Sequence, residues 1–169
     1  MNNFFYHDKH YLKEMKMQQK INFKKKLQQN CISILEDRIS SSYNAMLNAQ
    51  TAANNEEKSS AGDKYETGRA MNHLEKDMYA KQWFANKKEL ATLLTINCNK
   101  TYEWATAGSI VQCSEFSFFI AAGLGKIFID KELVFLLSPY APIAILLNNK
   151  KAGDAILFNK KELIIQDVY

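Results

Sequence analysis

The feature that most constrains this chain is a long run of apolar residues at helical spacing that neither proline nor glycine interrupts. From residue 27 to residue 53 they recur at intervals of three and four, at Leu27, Cys31, Ile34, Leu35, Ile39, Ala45, Met46, Ala49 and Ala53. This spacing puts them on one face of a helix and predicts one long amphipathic helix. The apolar residues become small from Ala45 onward, which favours the close approach of a second helix.

A second helix is predicted from about residue 64 to residue 94. Its expected apolar stripe consists of Met71, Leu74, Met78 and Ala85. The residues between the helices, 54–63, are polar and typical of a turn. Two such helices can bury their stripes against each other, so residues 27–94 are predicted to form an antiparallel hairpin, or else a hairpin folded back into a helical bundle. The aromatic residues Trp83, Phe84 and Trp104 are expected to pack in a core or between domains.

The pattern changes to short β-like runs after residue 94. Strands are predicted at 109–113, 115–121, 126–129 and 132–137, a short helix at 143–147, and a hairpin of residues 155–158 and 162–168 that turns at Asn159-Lys160. The prolines Pro139 and Pro142 predict a loop at 138–142, because proline cannot donate a ladder hydrogen bond. The fold class is therefore α+β, with residues 95–169 as a small domain.

The first 26 residues carry a local excess of positive charge. They hold seven lysines against Asp8 and Glu14, whereas residues 27–169 sum to −1 of the total net charge of +4. We expect a basic N-terminal arm that is the least ordered part of the chain. Such an arm usually only solvates a terminus, although it can attract nucleic acid or an acidic protein surface.

Composition argues against several classes of protein. The longest apolar stretches, 133–137 and 142–147, are far shorter than the roughly 20 residues of a membrane-spanning helix, and the mixed N-terminus does not look like a signal peptide, so a cytoplasmic protein without membrane contact is expected. The three cysteines and three histidines lack the spacing of a disulfide framework or a zinc site. No tightly bound cofactor is expected.

Two segments resemble the Gre family of bacterial transcript cleavage factors. Residues 141–154, Ala-Pro-Ile-Ala-Ile-Leu-Leu-Asn-Asn-Lys-Lys-Ala-Gly-Asp, are similar without a gap to the family's Ser-Pro-Ile-(Gly/Ala)-x-x-Leu-(Leu/Ile)-Gly-Lys-x-x-Gly-Asp. Residues 62–66, Gly-Asp-Lys-Tyr-Glu, resemble its Gly-Asp-x-x-Glu hairpin tip. The resemblance implies an FKBP-like C-terminal domain that docks on RNA polymerase while the hairpin enters the secondary channel.

The resemblance also implies roles for particular residues. The tip carboxylates Asp63 and Glu66 would act in catalysis by helping the polymerase hold an active-site Mg²⁺ and its water, so that backtracked RNA is hydrolysed; the metal is shared and exists only within the polymerase complex. Glu56 and Glu57 would add negative potential at the tip. The implied polymerase-binding residues are Ser138, Pro139, Ala141, Pro142, Ile143, Gly153 and Asp154. The partner is the bacterial RNA polymerase elongation complex, bound by a monomer, with DNA or RNA contacted weakly or through that complex.

The chain departs from the family at several positions. Thr67-Gly68-Arg69-Ala70 follow Glu66, where the family has Asn, a small residue, an acidic residue and Tyr. Ala141, Ile145 and Asn149 replace the usual Ser, Arg and Gly. The spacing of Asp63 and Glu66 is also that of a helix capping box, a structural role that can coexist with metal binding.

Four functions are consistent with these patterns. The leading one is a factor that stimulates transcript cleavage by the polymerase, and its nearest alternative is a secondary-channel regulator without cleavage activity. A stand-alone FKBP-like prolyl isomerase or chaperone is a third, although the loop after Ser138 is short for an isomerase pocket. The fourth is a nucleic-acid binder that acts through the basic arm.

Overall fold

The chain begins with two long helices and ends with a small sheet domain. The computed structural model describes residues 3–57 and 63–169, and the side chains of residues 13–55 and 67–169. Helix α1 spans Asn3–Glu57 and helix α2 spans Asp63–Leu94. By compactness the chain divides into two units: the first combines Met1–Cys31 with Thr92–Tyr169, and the second is Ile32–Ala91.

Helix α1 begins earlier than its apolar stripe indicated. The predicted start near Leu27 was wrong, because the helix starts at Asn3 and includes residues 3–26, which had been assigned to a basic arm. Those residues contain neither proline nor glycine and are rich in lysine and glutamine, which are good helix formers. Apolar spacing did not identify residues 3–26 as helical, because polar side chains, above all that of Lys24, lie on the face that packs in the first unit.

The apolar face predicted on α1 is largely confirmed. Five of its residues are buried: Leu27, Cys31, Leu35, Ala49 and Ala53. The residues Ile34, Ile39, Ala45 and Met46 are half-buried. The buried Ser42 also lies on this face, and its hydroxyl donates to Arg38 O at 2.6 Å, so its polar group is satisfied within the helix.

The apolar stripe predicted on α2 was wrong. Met71 (61% exposed), Leu74 (70%) and Met78 (44%) face outward, and Ala85 is exposed as well. The more buried side of the helix is instead formed at heptad-like spacing by Asn72, Lys76, Tyr79, Trp83, Asn86, Leu90 and Leu93. The small residues of α1 leave room for these larger, partly polar side chains. For this reason, the positions of apolar residues alone predicted the wrong buried face of α2.

Contacts between the helices give their direction. Gln28 Nε2 donates to Leu93 O at 3.1 Å, and farther along α1 the Tyr43 ring lies 6.0 Å from that of Trp83. Residue numbers on α2 fall as those on α1 rise, so the helices are antiparallel and form the predicted hairpin. The packing expected for Trp83 is partly met by this contact, but Phe84 (68% exposed) and Trp104 (49%) lie at the surface, so the packing predicted for them was wrong.

The C-terminal part of the chain is the predicted sheet domain, which confirms the α+β class. Five strands, β1 (Ile110–Gln112), β2 (Ser117–Ile120), β3 (Gly125–Ile129), β4 (Glu132–Leu137) and β7 (Asp167–Val168), form a sheet in the order β3-β4-β2-β1-β7. The short helix α3 spans Pro142–Leu147, and β5 (Ala155–Phe158) pairs with β6 (Lys161–Ile164). The pair β2 and β4 is parallel, and the other pairs are antiparallel.

One boundary in this domain was predicted incorrectly. Residues 162–168 were expected to form one strand of the last hairpin, but β6 ends at Ile164 and β7 begins at Asp167. The peptide N–H of Gln166 donates to Gln112 O at 2.8 Å, so the chain leaves its pairing with β5 and joins β1 in the larger sheet. The predicted turn at Asn159-Lys160 is confirmed; both residues have positive φ, as a two-residue hairpin turn requires.

Four phenylalanines cluster at the core of the domain, where Phe118 is buried and Phe116, Phe135 and Phe158 are half-buried. The rings of Phe116, Phe118, Phe135 and Phe158 have centroids 5.0 to 5.8 Å apart, mostly in edge-to-face geometry. Phe118 comes from the central strand β2, whose four residues are all buried. Ala144 and Leu147 place the inner face of α3 against the same core. The core therefore fixes α3 and leaves its other face outward.

A buried lysine joins the first helix to the sheet domain within the first compact unit. Lys24 is only 1% exposed, its Nζ donates to Lys100 O at 2.7 Å, and the ammonium lies 4.6 Å from the centroid of the Tyr102 ring. Burial lowers the pKa of Lys24 from 10.5 to about 8. The hydrogen bond and the ring offset part of the cost of burying the cation.

Along residues 3–57 and 63–94, and in α3, no helix is both long enough and apolar enough to span a membrane.

The lowered pKa of Lys24 predicts a specific pH dependence of stability. Between about pH 8, the folded pKa, and pH 10.5, the unfolded value, the unfolded chain binds more protons than the folded chain. The free energy of unfolding therefore rises as pH increases through this range. Below about pH 8, the folded protein bears the full cost of burying the charged ammonium group. Relative to Lys24→Met, the wild-type free energy of unfolding should rise by about 2 kcal/mol from pH 7.5 to pH 10 in denaturant titrations. Lys25 is exposed, and Lys25→Met serves as the control. Its free energy of unfolding should change with pH as that of the wild type does. Parallel curves for all three proteins would contradict the assignment.

Candidate functional site

The carboxylates implied to act in catalysis lie where the two helices end. Helix α1 ends at Glu57 and helix α2 begins at Asp63, so Glu56, Glu57, Asp63 and Glu66 all belong to the helical turns that flank residues 58–62. The backbone of Asp63 and Glu66 is in the first turn of α2, where negative charge is favoured by the helix dipole. Their side chains, and those of Glu56 and Glu57, lie outside the described residues, so the metal and capping roles remain predictions.

The other implied site is the segment around α3. Strand β4 ends at Leu137, and the peptide N–H of Ala141 then donates to Ser138 O at 3.0 Å, which closes a turn at Pro139 and Tyr140. Pro142 occupies the first turn of α3, where its missing N–H costs no hydrogen bond. Ala141 precedes the helix in an extended conformation, with no side-chain cap. The two prolines thus set both the turn and the helix start.

Helix α3 has one buried face and one exposed face. Ala144 and Leu147 are buried, whereas Ile145 is 63% exposed and Leu146 58%. Tyr140, in the preceding turn, is 80% exposed, and Pro142 is exposed. We call Tyr140, Pro142, Ile145 and Leu146 the α3 patch. Exposed apolar side chains this close together are typical of an interaction surface.

The structure divides the implied polymerase-binding residues into exposed and supporting positions. Pro142 and Gly153 are exposed, and Ser138, Pro139, Ala141, Ile143 and Asp154 are half-buried. Tyr140, Ile145 and Leu146 are not among the residues singled out from the sequence, because those were the positions that match the family motif. The signal that could have found them is helical spacing: if Ala144 and Leu147 face the core, Ile145 and Leu146 face away.

The Gly153-Asp154 end of the motif forms a tight turn. The carboxylate of Asp154 accepts a hydrogen bond from the N–H of Lys151 at 2.9 Å, and the N–H of Asp154 donates to Lys151 O at 3.1 Å. Gly153 has a φ of +93°, a backbone conformation that glycine adopts without strain. The N–H of Gly153 donates to Ile165 O at 2.8 Å, which ties the turn to the chain after β6. In this structure the Gly-Asp pair therefore shapes the entry into β5.

Burial leaves the three cysteines unreactive. Cys31, Cys98 and Cys113 are free and buried, and burial raises the pKa of the Cys31 thiol to about 12. A thiol that stays protonated at neutral pH is a poor nucleophile and a poor metal ligand. Within the described residues, no three His, Cys, Asp or Glu residues are grouped so that they could hold a metal ion.

Comparisons with known proteins add a similarity to solved structures. No family model matches the chain, and no curated protein matches it. Among solved structures, the chain is similar to one described as the structure of the transcription factor Gfh1, with 15% sequence identity and a TM-score of 0.35. The alignment covers 82% of this chain and 92% of that chain. A TM-score this low supports no inference about function.

The turn at Asp154 gives a prediction about stability. Asp154→Ala should lower the free energy of unfolding by about 1 kcal/mol, because the N–H of Lys151 loses its acceptor. Asp154→Asn keeps an acceptor oxygen and should cost less than half as much, measured by chemical denaturation at neutral pH. Equal losses in the two variants would show that the negative charge, rather than the hydrogen bond, holds the turn.

Proposed function

We propose that this chain is a Gre-like factor that binds the bacterial RNA polymerase elongation complex and stimulates cleavage of backtracked RNA. The observation that carries the proposal is where the two Gre-like segments fall in the fold. Of the Gly-Asp-x-x-Glu segment, Asp63 and Glu66 lie in the first turn of α2, in a long antiparallel hairpin. The Pro-Ile segment forms α3, which carries an exposed apolar patch on a separate sheet domain.

Docking is proposed for the α3 patch. Its four side chains offer apolar surface beside a turn that prolines make stiff, and a preorganised surface loses little entropy when it binds. The half-buried Ser138, Pro139, Ala141 and Ile143 would support the patch from behind, while Gly153 and Asp154 would hold the turn that follows it. Ile145 stands where the family often has Arg, so this contact with the polymerase would be apolar rather than ionic.

Chemistry is proposed for the hairpin tip. Asp63 and Glu66 would complete a Mg²⁺ site in the polymerase, where the metal supplies a polarised water for phosphodiester hydrolysis. The carboxylates would position the ion and accept hydrogen bonds from its waters, because hard cations prefer oxygen ligands. Glu56 and Glu57 would add negative potential that attracts the cation. The protein would act in the cytoplasm, as a monomer, without a bound cofactor of its own.

One observation favours a second function, a secondary-channel regulator without cleavage activity. Arg69 stands in the segment where the family has an acidic residue, and it is exposed. A cation within two helical turns of Asp63 and Glu66 would oppose the binding of Mg²⁺ there. Such a factor would use the same α3 patch but would occupy the channel without assisting hydrolysis.

The tip carboxylates can be tested separately from docking. Asp63→Asn with Glu66→Gln should reduce cleavage of RNA in stalled, backtracked complexes about tenfold or more, because the amides keep size and capping ability but lose the anionic ligand. The affinity for polymerase should stay within about twofold of the wild type, since the change is remote from the proposed docking surface. The measurement is the rate of appearance of the 3′ RNA fragment at several Mg²⁺ concentrations.

The matched control removes two charges elsewhere on the same helix. Glu75→Gln with Asp77→Asn changes exposed residues of α2 outside the tip and should leave the cleavage rate unchanged. If the Asp63→Asn, Glu66→Gln variant stimulates cleavage as well as the wild type does, the proposed role of the tip carboxylates is wrong. Wild-type protein that binds polymerase and never accelerates cleavage would favour the non-cleaving regulator.

Docking through the α3 patch has a test of its own. Ile145→Glu should weaken binding to the core polymerase by about tenfold or more, because it puts a charge into an apolar contact. Phe128→Glu alters a side chain on β3 that is more exposed still, 77% against 63%, and should change affinity less than about twofold. Fluorescence anisotropy of the labelled chain would measure both. Equal affinities of the two variants would place the docking surface elsewhere.

A further inference from the structure

A cavity in the first compact unit has a wall of lysines. It has a volume of about 450 Å³ and lies between the early part of α1 and the sheet domain. Three of its lining residues, Lys13, Lys16 and Lys20, recur at intervals of three and four along α1, which puts their side chains on one face. Like charges at this spacing disfavour a helix, so the arrangement would gain stability from a bound anion.

The opposite wall is made of hydroxyl and apolar groups. It consists of Thr101, Tyr102, Val168 and Tyr169, and Met17 of α1 completes the lining. No lining residue has a carboxylate side chain. Asp167 lies beside the cavity, but its carboxylate is engaged by Lys20, which also lies 4.8 Å from the centroid of the Tyr169 ring. One lysine is thus held in place, and the exposed Lys13 and Lys16 are the ammonium groups that can reach a ligand.

Further positive charge lies behind the Tyr102 ring. The ammonium groups of Lys24 and Lys100 lie 4.6 and 5.2 Å from its centroid. The hydroxyl oxygen of Tyr102 is turned toward Gly108, where an added Cβ would lie 3.1 Å from it. Two ammonium groups therefore lie against the ring, and its hydroxyl end packs near Gly108. These cations add to the positive potential near the cavity, and the ring is not an open surface for stacking.

We propose that this cavity binds a compact ligand with two or more linked phosphoryl groups, such as a nucleoside triphosphate. Lys13 and Lys16 contact the phosphoryl oxygens. Thr101, whose hydroxyl donates to Met17 Sδ at 4.0 Å in this structure, turns its hydroxyl hydrogen to them instead. Met17 and Val168 contact the less polar end of the ligand. The volume is within the range of small-molecule sites, about 300 to 1,000 Å³. The site is separate from the hairpin tip and from the α3 patch, and it requires no polymerase.

The same residues argue against a single strand of nucleic acid as the ligand. Strand-binding grooves combine cations with exposed aromatic rings on which successive bases stack. Here the Tyr102 ring is covered by lysines, and Tyr169 is only 7% exposed. The lysines form one wall of a cavity of limited size. A compact oligophosphate fits this geometry better than a polymer.

The test uses the full chain, inorganic tripolyphosphate, ATP and a twelve-residue oligothymidylate, each titrated by calorimetry at 150 mM salt. Tripolyphosphate and ATP should bind saturably at one site, and Lys13→Gln with Lys16→Gln should weaken both about tenfold or more. Lys126→Gln with Lys161→Gln removes the same charge from exposed positions of the same unit and should change binding less than about twofold. The amide resonances of Thr101 and Val168 should shift with saturation.

Three results would overturn the proposal. One is the absence of saturable tripolyphosphate binding by the wild-type chain at millimolar concentrations. Another is an equal loss in the two double variants, which would show attraction to overall charge only. The third is tighter binding of oligothymidylate than of either oligophosphate, with the loss confined to Lys13→Gln and Lys16→Gln; the cavity would then serve nucleic acid.

Discussion

One buried lysine of α1 links that helix to the segment that leads into the sheet domain. Lys24 is only 1% exposed, and its ammonium has two main partners, Lys100 O and the face of the Tyr102 ring. A cation buried in this way is costly unless its geometry is fixed, so the hydrogen bond places the helix in register with the segment that follows α2. Gln28, one turn later, donates to Leu93 O and Ile96 O and repeats the same arrangement. Polar side chains therefore determine where the helix meets the end of α2.

Polar side chains also lie in the interface between the two helices of the hairpin. The buried face of α1 carries small residues such as Ser42 and Ala49, and the more buried face of α2 carries the larger Tyr79, Trp83 and Asn86. Because large polar residues can fill this interface, the apolar side chains Met71, Leu74 and Met78 remain at the surface. On the sheet domain, a core of phenylalanines buries one face of α3 and leaves Ile145 and Leu146 outward. In both units, packing decides which apolar residues are left available for a partner.

Much of the fold could be predicted from the sequence, and the errors have physical causes. The strands, α3 and the turn at Asn159-Lys160 follow from alternation, proline positions and turn chemistry, which act locally. The start of α1 and the face of α2 could not be obtained from apolar periodicity, because polar residues such as Lys24, Lys76 and Asn86 lie on the more buried faces. At the candidate site, motif similarity marked Pro142 and Asp154, whereas the exposure of Tyr140, Ile145 and Leu146 depends on which side of α3 the core covers. The roles of Asp63 and Glu66 rest on resemblance alone.

The most direct test of the central claim, that the hairpin turn of this chain reaches the catalytic centre of RNA polymerase, is site-specific photocrosslinking. A photoreactive amino acid would replace Lys64, between the two carboxylates, in a protein added to backtracked elongation complexes with labelled RNA. The account predicts crosslinks to the 3′ part of the RNA and to the catalytic subunit, lost when Ile145→Glu is introduced. A crosslinker at Lys126 should give no such products. Identical products from positions 64 and 126, or none at position 64 under conditions in which the protein binds the complex, would contradict the account.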